Sequence, residues 1–485
     1  TDRNGRTVRD LSQSDFVVKE DGVEQKARLL ETPDDAGKLE NAKASHVQQA
    51  DGMPQQDAAE ARQRTLILLD EVNVSFADLA LARNRLDVFL ASNKAVEQPI
   101  ALMALTANKL VLIHDFTTDR DALRKALRAL PPALPVTANA AVDEYQDYVS
   151  FTHAISALET IGRSLQGSPV RTNCIWITSG FLTLAKLVNS PEMGYNLELI
   201  LQHTANLYLG ARMSVYTIDP HGVQFESSLP AHDAQSSPTG PTERLENDGD
   251  QVARQTTRMT SNSAIINSVL NKLDERTGGR GFQNQNFIDV PIAEAFDDAS
   301  GSYLLAYAPS NRDFHGEYRH IQVTLRTPGL HARTRDGYIA TNGTPDHSES
   351  EVNTRLERAL ESPLPYQGLQ TSAQLTRVGK RPVLRVTVAP RNVEWQHGAD
   401  GSGGTIAQVV AIAAYAKNGK PVFSRTYQVT TNRPDLQVQD ALRYDLPFVT
   451  PSDSVRVRVA VMDRHGSNLG TAEVPLLDEK TLQHR

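Results

Sequence analysis

Oxygen-bearing side chains cluster in Asp70-Glu71-Val72-Asn73-Val74-Ser75, where two carboxylates, an amide and a hydroxyl follow a run of aliphatic residues. Hard divalent cations such as Mg²⁺ take such oxygen ligands. Ser179, at the end of a later apolar run, adds a hydroxyl from a second loop. Read this way, Asp70 with Glu71 would hold Mg²⁺, helped by Asn73, Ser75 and Ser179, and the acidic pair could serve a metal-assisted hydrolase. The same residues also read as an acidic turn that caps the next helix and complements its dipole.

Other constellations carry less chemistry. Ser179 precedes Gly180, but Trp176-Ile177-Thr178-Ser179-Gly180 lacks the first glycine of a nucleophile elbow. Asp219 and His221 have the types for acid–base work, yet Pro220 and Gly222 beside them mark a turn. Thr277-Gly278-Gly279-Arg280-Gly281 is glycine-rich but follows a helical pattern and lacks the Lys-Ser/Thr of a phosphate loop. No His-Glu-x-x-His motif occurs, and Cys174, inside an apolar strand, reads as an inert buried thiol.

The elements that must position the acidic turn are legible from hydrophobic period. Leu66 to Leu69 is a continuous apolar run, as in a central strand covered on both faces. Ser75 reads as an N-cap with Asp78 as its capping-box partner. The following helix carries Leu79, Ala82, Leu86, Phe89 and Leu90 on one face. Further strands are predicted at Ile100 to Leu105, Lys109 to Phe116, Thr172 to Gly180, Met213 to Pro220 and Ser302 to Tyr307. The second of these pairs antiparallel with the first across Ala107-Asn108. Helices are predicted at Asp119 to Leu130, Tyr145 to Leu165, Leu197 to Leu209, Ser263 to Arg276 and Pro291 to Ala299. The alternation argues for an α/β, doubly wound, mostly parallel sheet over 64–340, with ligands expected outside the carboxyl ends of its strands.

The flanks have a different texture. Residues 1–33 read as strands, with Asp2-Arg3-Asn4-Gly5 as a turn and Phe16 to Leu30 as a hairpin turning at Asp21-Gly22. Three strands bury too little to fold alone. Residues 34–63 read as a polar linker and 224–256 as a surface excursion. Tyr318 to Leu325 is a half-exposed strand paired with His331 to Ile339 across Pro328-Gly329. Residues 341–364 read as a linker with a short helix at Val352 to Leu360. Residues 365–485 read as a β-sandwich domain, with strands at Pro382 to Val388, Gln408 to Ala416, Val422 to Val429 and Val455 to Met462, a turn at Asn418-Gly419, and a flexible loop at His397 to Gly404.

Composition sets broader bounds. The 485 residues suit two or three domains. A net charge of −8 argues against a nucleic-acid partner, and no apolar run is long enough to cross a membrane as a helix. The single cysteine, Cys174, excludes an internal disulfide framework. The first residues, Thr1 to Gly5, lack the pattern of a signal peptide and read as the middle of a hairpin, so a longer precursor is expected.

Residues from Thr65 to Ala340 resemble a von Willebrand factor type A (VWA) domain, and among such proteins the exported VWFA-related family of acidobacteria. The likeness is carried by Asp15-Phe16 with Glu20-Asp21-Gly22, Asp115-Phe116-Thr117-Thr118, Trp176-Ile177-Thr178-Ser179-Gly180-Phe181, Tyr216-Thr217-Ile218-Asp219-Pro220, Thr277-Gly278-Gly279 and Tyr303-Leu304-Leu305-Ala306-Tyr307, in that order. The resemblance implies a Rossmann-like sheet that mediates adhesion or protein binding. It also implies a metal-ion-dependent adhesion site built from an Asp-x-Ser-x-Ser turn, a second-loop Thr and a third-loop Asp. Asp70 matches the first ligand. Val72 and Val74 stand at the two serine positions, Ser179 replaces the third-loop Asp, and Thr152 is the candidate second-loop Thr. No cofactor is therefore expected, with Asp70 the residue that would hold Mg²⁺ if any does.

The expected function is an exported, non-enzymatic binding or adhesion module of the bacterial envelope, periplasmic or extracellular. Its partner is another protein or an envelope component. The metal-assisted hydrolase at Asp70 and Glu71 is the competing reading. Limited proteolysis checks the domain map. The first cuts are expected between Asp34 and Gln63 and between Gln224 and Gln255, because neither stretch has apolar periodicity. Early cuts within Thr65 to Leu105 would contradict it.

Overall fold

The computed structural model describes residues 1–2, 7–33, 63–92, 98–131, 144–168, 170–179, 191–221, 272–283, 288–341, 348–390, 392–397, 403–433, 440–464 and 468–476. The turn expected at Asp2 to Gly5, the 34–63 linker and the 224–256 excursion lie almost wholly outside the described residues.

Three short strands, β1 (Phe16–Glu20), β2 (Val23–Gln25) and β3 (Ala27–Glu31), precede the central strand β4 (Gln63–Asp70). The α/β part continues with α1 (Phe76–Ala91), β5 (Ile100–Leu105), β6 (Leu110–Thr117), α2 (Arg120–Arg128), α3 (Glu144–Leu165) and β7 (Arg171–Ile177). It closes with α4 (Pro191–Gly210), β8 (Met213–Ile218), β9 (Arg280–Phe282) and α5 (Asp289–Ser300). The sheet order is β6-β5-β4-β7-β8-β9. Every neighbouring pair is parallel except β5 with β6, which turns back antiparallel as the short spacing demanded.

Alternation along β4 divides the core into two layers. Leu66 and Leu68 pack with Cys174, Trp176 and Val215 against apolar residues of α3 and α4. Ile67 and Leu69 pack with Ile175, Ile177 and Ile218 against α1, α2 and α5. Each such side chain contributes about 1.5–3 kcal/mol when fully buried, so both faces of the sheet must be covered. The α1 face is the one expected, with Leu79, Ala82, Leu86, Phe89 and Leu90 buried.

Three sequence expectations need correction here. The Ser302 to Tyr307 strand is not part of the main sheet: β10 (Leu304–Tyr307) pairs antiparallel with β3. In its place β9, which overlaps the glycine-rich stretch weighed only as a phosphate loop, extends the sheet beside β8. Gly278, at φ +78°, ends the helical residues 272–277, and a Cβ on Gly279 would stand 1.6 Å from the Val215 carbonyl oxygen. The glycines thus serve a close strand approach. Lastly, the Asp21-Gly22 turn forms with φ of 46° and 82°, the double-positive pattern of a tight hairpin. Its returning strand β2 is short, however, and β3 leaves for β10.

The N-terminal strands join a sheet made with later residues. β11 (His315–Leu325) and β12 (Gly337–Thr341) give the order β12-β11-β1-β2. β12 begins at Gly337, six residues later than the strand expected from His331. At the centre of this small sheet lies Arg319, fully buried. Its Nη1 donates to Glu20 Oε1 at 3.1 Å and to the Asn311 carbonyl at 3.0 Å. Glu20 Oε2 accepts from Tyr307 at 2.7 Å and Tyr338 at 2.9 Å.

The 341–364 stretch carries a longer helix than expected, α6 (Glu349–Glu361), capped by Ser348 in a complete capping box with Glu351. Its buried residues Val352, Leu356, Ala359 and Leu360 pack on Val409, Ala411, Ala413 and Met462 of the C-terminal strands, so this helix is a layer rather than a connector. Those strands are β13 (Thr371–Val378), β14 (Arg381–Val388), β15 (Gln396–His397), β16 (Gly404–Ala416), β17 (Pro421–Arg433), β18 (Leu442–Pro447), β19 (Ser454–Asp463) and β20 (Leu469–Pro475). One sheet runs β13-β14-β18; the other centres on β16, paired with β17 and β19, with β20 beyond. Leu384, Val386, Ile412 and Val459 lie in the core between them, and Gly419, at φ +80°, makes the expected turn.

Removing one partner of a buried ion pair strands the other charge, whereas replacing both by apolar groups is far milder. Arg319 also pairs with Glu317 at 2.6 Å, whereas buried Glu20 has Arg319 as its charge partner, so Arg319→Met is expected to lower the thermal midpoint more than the double variant Glu20→Leu/Arg319→Met, measured by calorimetry. A double variant whose loss equals the sum of the two single ones would show that the pair has no such coupling.

Candidate functional site at the carboxyl ends of the parallel strands

β4 delivers Asp70 to the end of the sheet with no solvent exposure. Its carboxylate is filled by the protein. Oδ1 accepts from the backbone N–H of Val72 at 3.1 Å, that of Asn73 at 3.0 Å and Asn73 Nδ2 at 3.1 Å. Oδ2 accepts from Asn73 Nδ2 at 2.9 Å and from the Thr178 hydroxyl at 2.9 Å. Burial pushes the Asp70 pKa upward, against the hydrogen bonds from Asn73, Thr178 and Val72.

The neighbours of Asp70 do not add ligands. Glu71 turns back over α1 and forms an ion pair with Arg83, whose other terminal nitrogen holds the Pro131 carbonyl at 2.8 Å. Val72 packs against the α3 side of the core, and Val74 is buried. Asn73 spends its amide on Asp70. Ser179 Oγ is buried with no hydrogen-bond partner among the described residues. Thr152 lies in mid-α3, where its hydroxyl donates to the Val149 carbonyl at 2.9 Å. A hard cation needs several free oxygens around it. The residues present do not fit one, since both oxygens of the Asp70 carboxylate already accept from protein donors.

Ser75 caps α1 as expected, accepting from the Asp78 N–H at 3.2 Å. The Asp78 carboxylate takes the Ser75 hydroxyl and also lies 3.3 Å from His221 Nε2. His221 Nδ1 is 2.8 Å from Asp219 Oδ1, which accepts the His221 backbone N–H as well, at 3.0 Å. Asp219 and His221 thus form the expected turn, and that turn is tied to the start of α1. The hydrogen bond to Asp219 raises the His221 pKa, with burial opposing and the charges of Asp219 and Asp78 assisting.

Thr178, Arg83 and the Asp78–His221 contact went unread in the sequence. Thr178 carried a weak signal, a hydroxyl residue at a strand end neighbouring β4. The other contacts join positions far apart in the chain, and no spacing rule reveals them. A second buried acid was also missed. Asp274 accepts from the Thr217 hydroxyl at 2.6 Å, and burial raises its pKa well above the usual range. Burial, with Asp274 nearby, pushes the Cys174 thiol up to about 12, which fits the inert thiol expected there.

No family model matches the chain, and no curated protein matches it. Among solved structures, an aerotolerance-related membrane protein from Bacteroides fragilis, carrying multiple mutations to serine, is 12% identical over 49% of this chain and 99% of that one, with a TM-score of 0.26. The SpRpn10 VWA domain is 14% identical over 32% of this chain and 74% of that one, with a TM-score of 0.19. The TFIIH p34 N-terminal domain is 14% identical over 49% of this chain and 97% of that one, with a TM-score of 0.22. The α/β assignment itself rests on the strand order and the two core layers.

The His221 contacts predict a pH dependence. A raised histidine pKa adds stability that is fully present below the unfolded value, near 6.5, and is lost as pH rises through the folded value. Stability measured by denaturant titration is expected to fall over that window in the parent, and His221→Gln is expected to flatten the fall. An unchanged profile in the variant would remove the charge link.

Proposed function

We propose that residues 64–340 form a VWA-type module that binds another protein or an envelope component without catalysis, in an exported bacterial protein. The module would be periplasmic or extracellular, carry a degenerate metal-ion-dependent adhesion site, and be followed by the sandwich at 365–485. One observation carries the reading: the Asp70 carboxylate is saturated by Val72, Asn73 and Thr178. A carboxylate so engaged holds its turn together and has no free oxygen to offer a cation. The ordered VWA-like motifs and the parallel sheet support the choice of module. The ion pair of Glu71 with Arg83 weighs against a hydrolase built on the acidic turn. Fold alone does not give function, so the module needs its own test.

Calorimetric titration of Mg²⁺, Mn²⁺ and Ca²⁺ into the full chain is expected to give no micromolar binding. Asp70→Ala is expected to cost about 2–4 kcal/mol of stability, because several buried donors lose their acceptor. Micromolar binding in the parent that disappears in Asp70→Ala would restore an ion-dependent adhesion site.

A further inference from the structure

One side of the sandwich ends in two strand edges. Among the described residues β18 pairs only with β14, and β17 only with β16. β17 is the longer, 13 residues from Pro421 to Arg433. Its ladder to β16 runs without a shift from Phe423 to Arg433, and residues 422–432 make no further backbone–backbone hydrogen bond among the described residues. A row of N–H and C=O groups therefore faces outward. Natural sheets guard such an edge with a lysine, a central proline or a bulge, and β17 has none of these between Val422 and Asn432. Its charged residue there, Arg425, lies over the Tyr427 ring at 5.0 Å.

The two faces of β17 differ. Phe423 and Tyr427 stand opposite Ala414 and Val410, and with Val429 they pack on the sandwich core while remaining half-buried. The Tyr427 hydroxyl donates to the Pro447 carbonyl at 2.9 Å, which holds the ring at the margin of that core. On the other face Ser424, Thr426 and Gln428 stand opposite Ala413, Ala411 and Val409, and all three are exposed. α6 covers these β16 residues, but a hollow of about 370 Å³ lies between it and β17. A strand laid along β17 therefore meets no obstacle from α6.

We propose that β17 pairs antiparallel with β17 of a second copy of this chain, about a two-fold axis at Tyr427, the middle of the strand. A strand edge is matched by an extended backbone, and the side chains of β17 suit its own copy. In this register Tyr427 meets Tyr427, Thr426 meets Gln428, Arg425 meets Val429, Ser424 meets Thr430 and Phe423 meets Thr431. Hydroxyl and amide residues meet on the α6 face, and aromatic and β-branched residues meet on the other. No like charges stand directly opposite, and such cross-strand pairs are the unit of sheet stability. The pairing also covers Phe423, Tyr427 and Val429 at the margin of each core. It uses both β17 edges, so the contact closes at two copies. The proposal concerns the sandwich alone and stands apart from the binding role of 64–340.

Sedimentation velocity of the full chain over a concentration series reads the association. A monomer–dimer equilibrium in the micromolar range is expected, since an edge contact is small. Thr426→Lys/Gln428→Lys, at two exposed positions, sets lysine opposite lysine twice across the axis. It should weaken the dimer by about tenfold or more, while keeping the parent's thermal midpoint at a dilution where both are monomers. Thr426→Lys/Gln428→Glu sets each lysine opposite a glutamate and should restore the dimer. Gln374→Lys, exposed on the edge strand β13, should change nothing. A chain that stays monomeric at its highest soluble concentration would overturn the proposal and leave the edge to a strand of another protein. A dimer that both double variants leave intact, or weaken alike, would overturn it as well.

Discussion

β4 is buried on both faces, and its two ends therefore have to satisfy their polar groups inside the protein. At the carboxyl end the burden falls on Asp70. An unpaired carboxylate there would cost several kcal/mol, and the chain meets it with donors from two directions. Val72 and Asn73 fold back from the next turn, and Thr178 reaches across from β7. The same contacts fix the turn that launches α1 and lock β4 to β7 beyond the last ladder position. At the other end Arg64 is handled alike. Its Nε donates to Thr172 at 2.9 Å and its Nη2 to Gln367 at 2.9 Å, its guanidinium lies 4.3 Å over the Phe116 ring, and burial lowers its pKa to about 10. One strand thus has a carboxylate tether at its head and a guanidinium tether at its foot.

The second tether explains how the C-terminal strands attach. Gln367 accepts from Arg64 and donates its backbone N–H to Ser164, so the foot of the central strand is also part of the seam. Gly167, at φ +72°, approaches Gly368 closely enough that an added Cβ would stand 2.9 Å from its Cα. The N-terminal strands attach by a different buried charge. Glu20 and Arg319 are separated by 299 residues in sequence and joined at 3.1 Å in space. In each case an internal polar contact, rather than a covalent link, fixes the place of a distant segment, in keeping with a chain of one cysteine.

What the sequence disclosed follows from this division. Periodicity located β4, β5, β6, β7, β8 and the buried face of α1, because a strand covered on both faces and an amphipathic helix leave local patterns. Asn418-Gly419 and Asp21-Gly22 were legible because positive φ selects residue type. β10 was placed in the wrong sheet, since its apolar pattern records burial but not partner. β9, three residues long and set among glycines, offered no period at all. At the candidate site, Asp70 and the Ser75 cap could be read directly. Thr178 as the partner of Asp70, and Arg83 as the partner of Glu71, depend on which strands and turns become neighbours, which no local spacing encodes.

These failures share a physical reason that bears on function. A side chain's chemistry is set by its tertiary donors, so the same Asp at the same strand end can serve as an ion ligand or as a structural acceptor. In this chain Val72 packs onto the α3 side of the core and Val74 is buried. The N–H groups of Val72 and Asn73 meet Asp70 Oδ1, and the Asn73 amide and the Thr178 hydroxyl meet Oδ2. The carboxylate therefore acts as the acceptor that holds its own turn and ties β4 to β7, a role that its place at a strand end does not reveal.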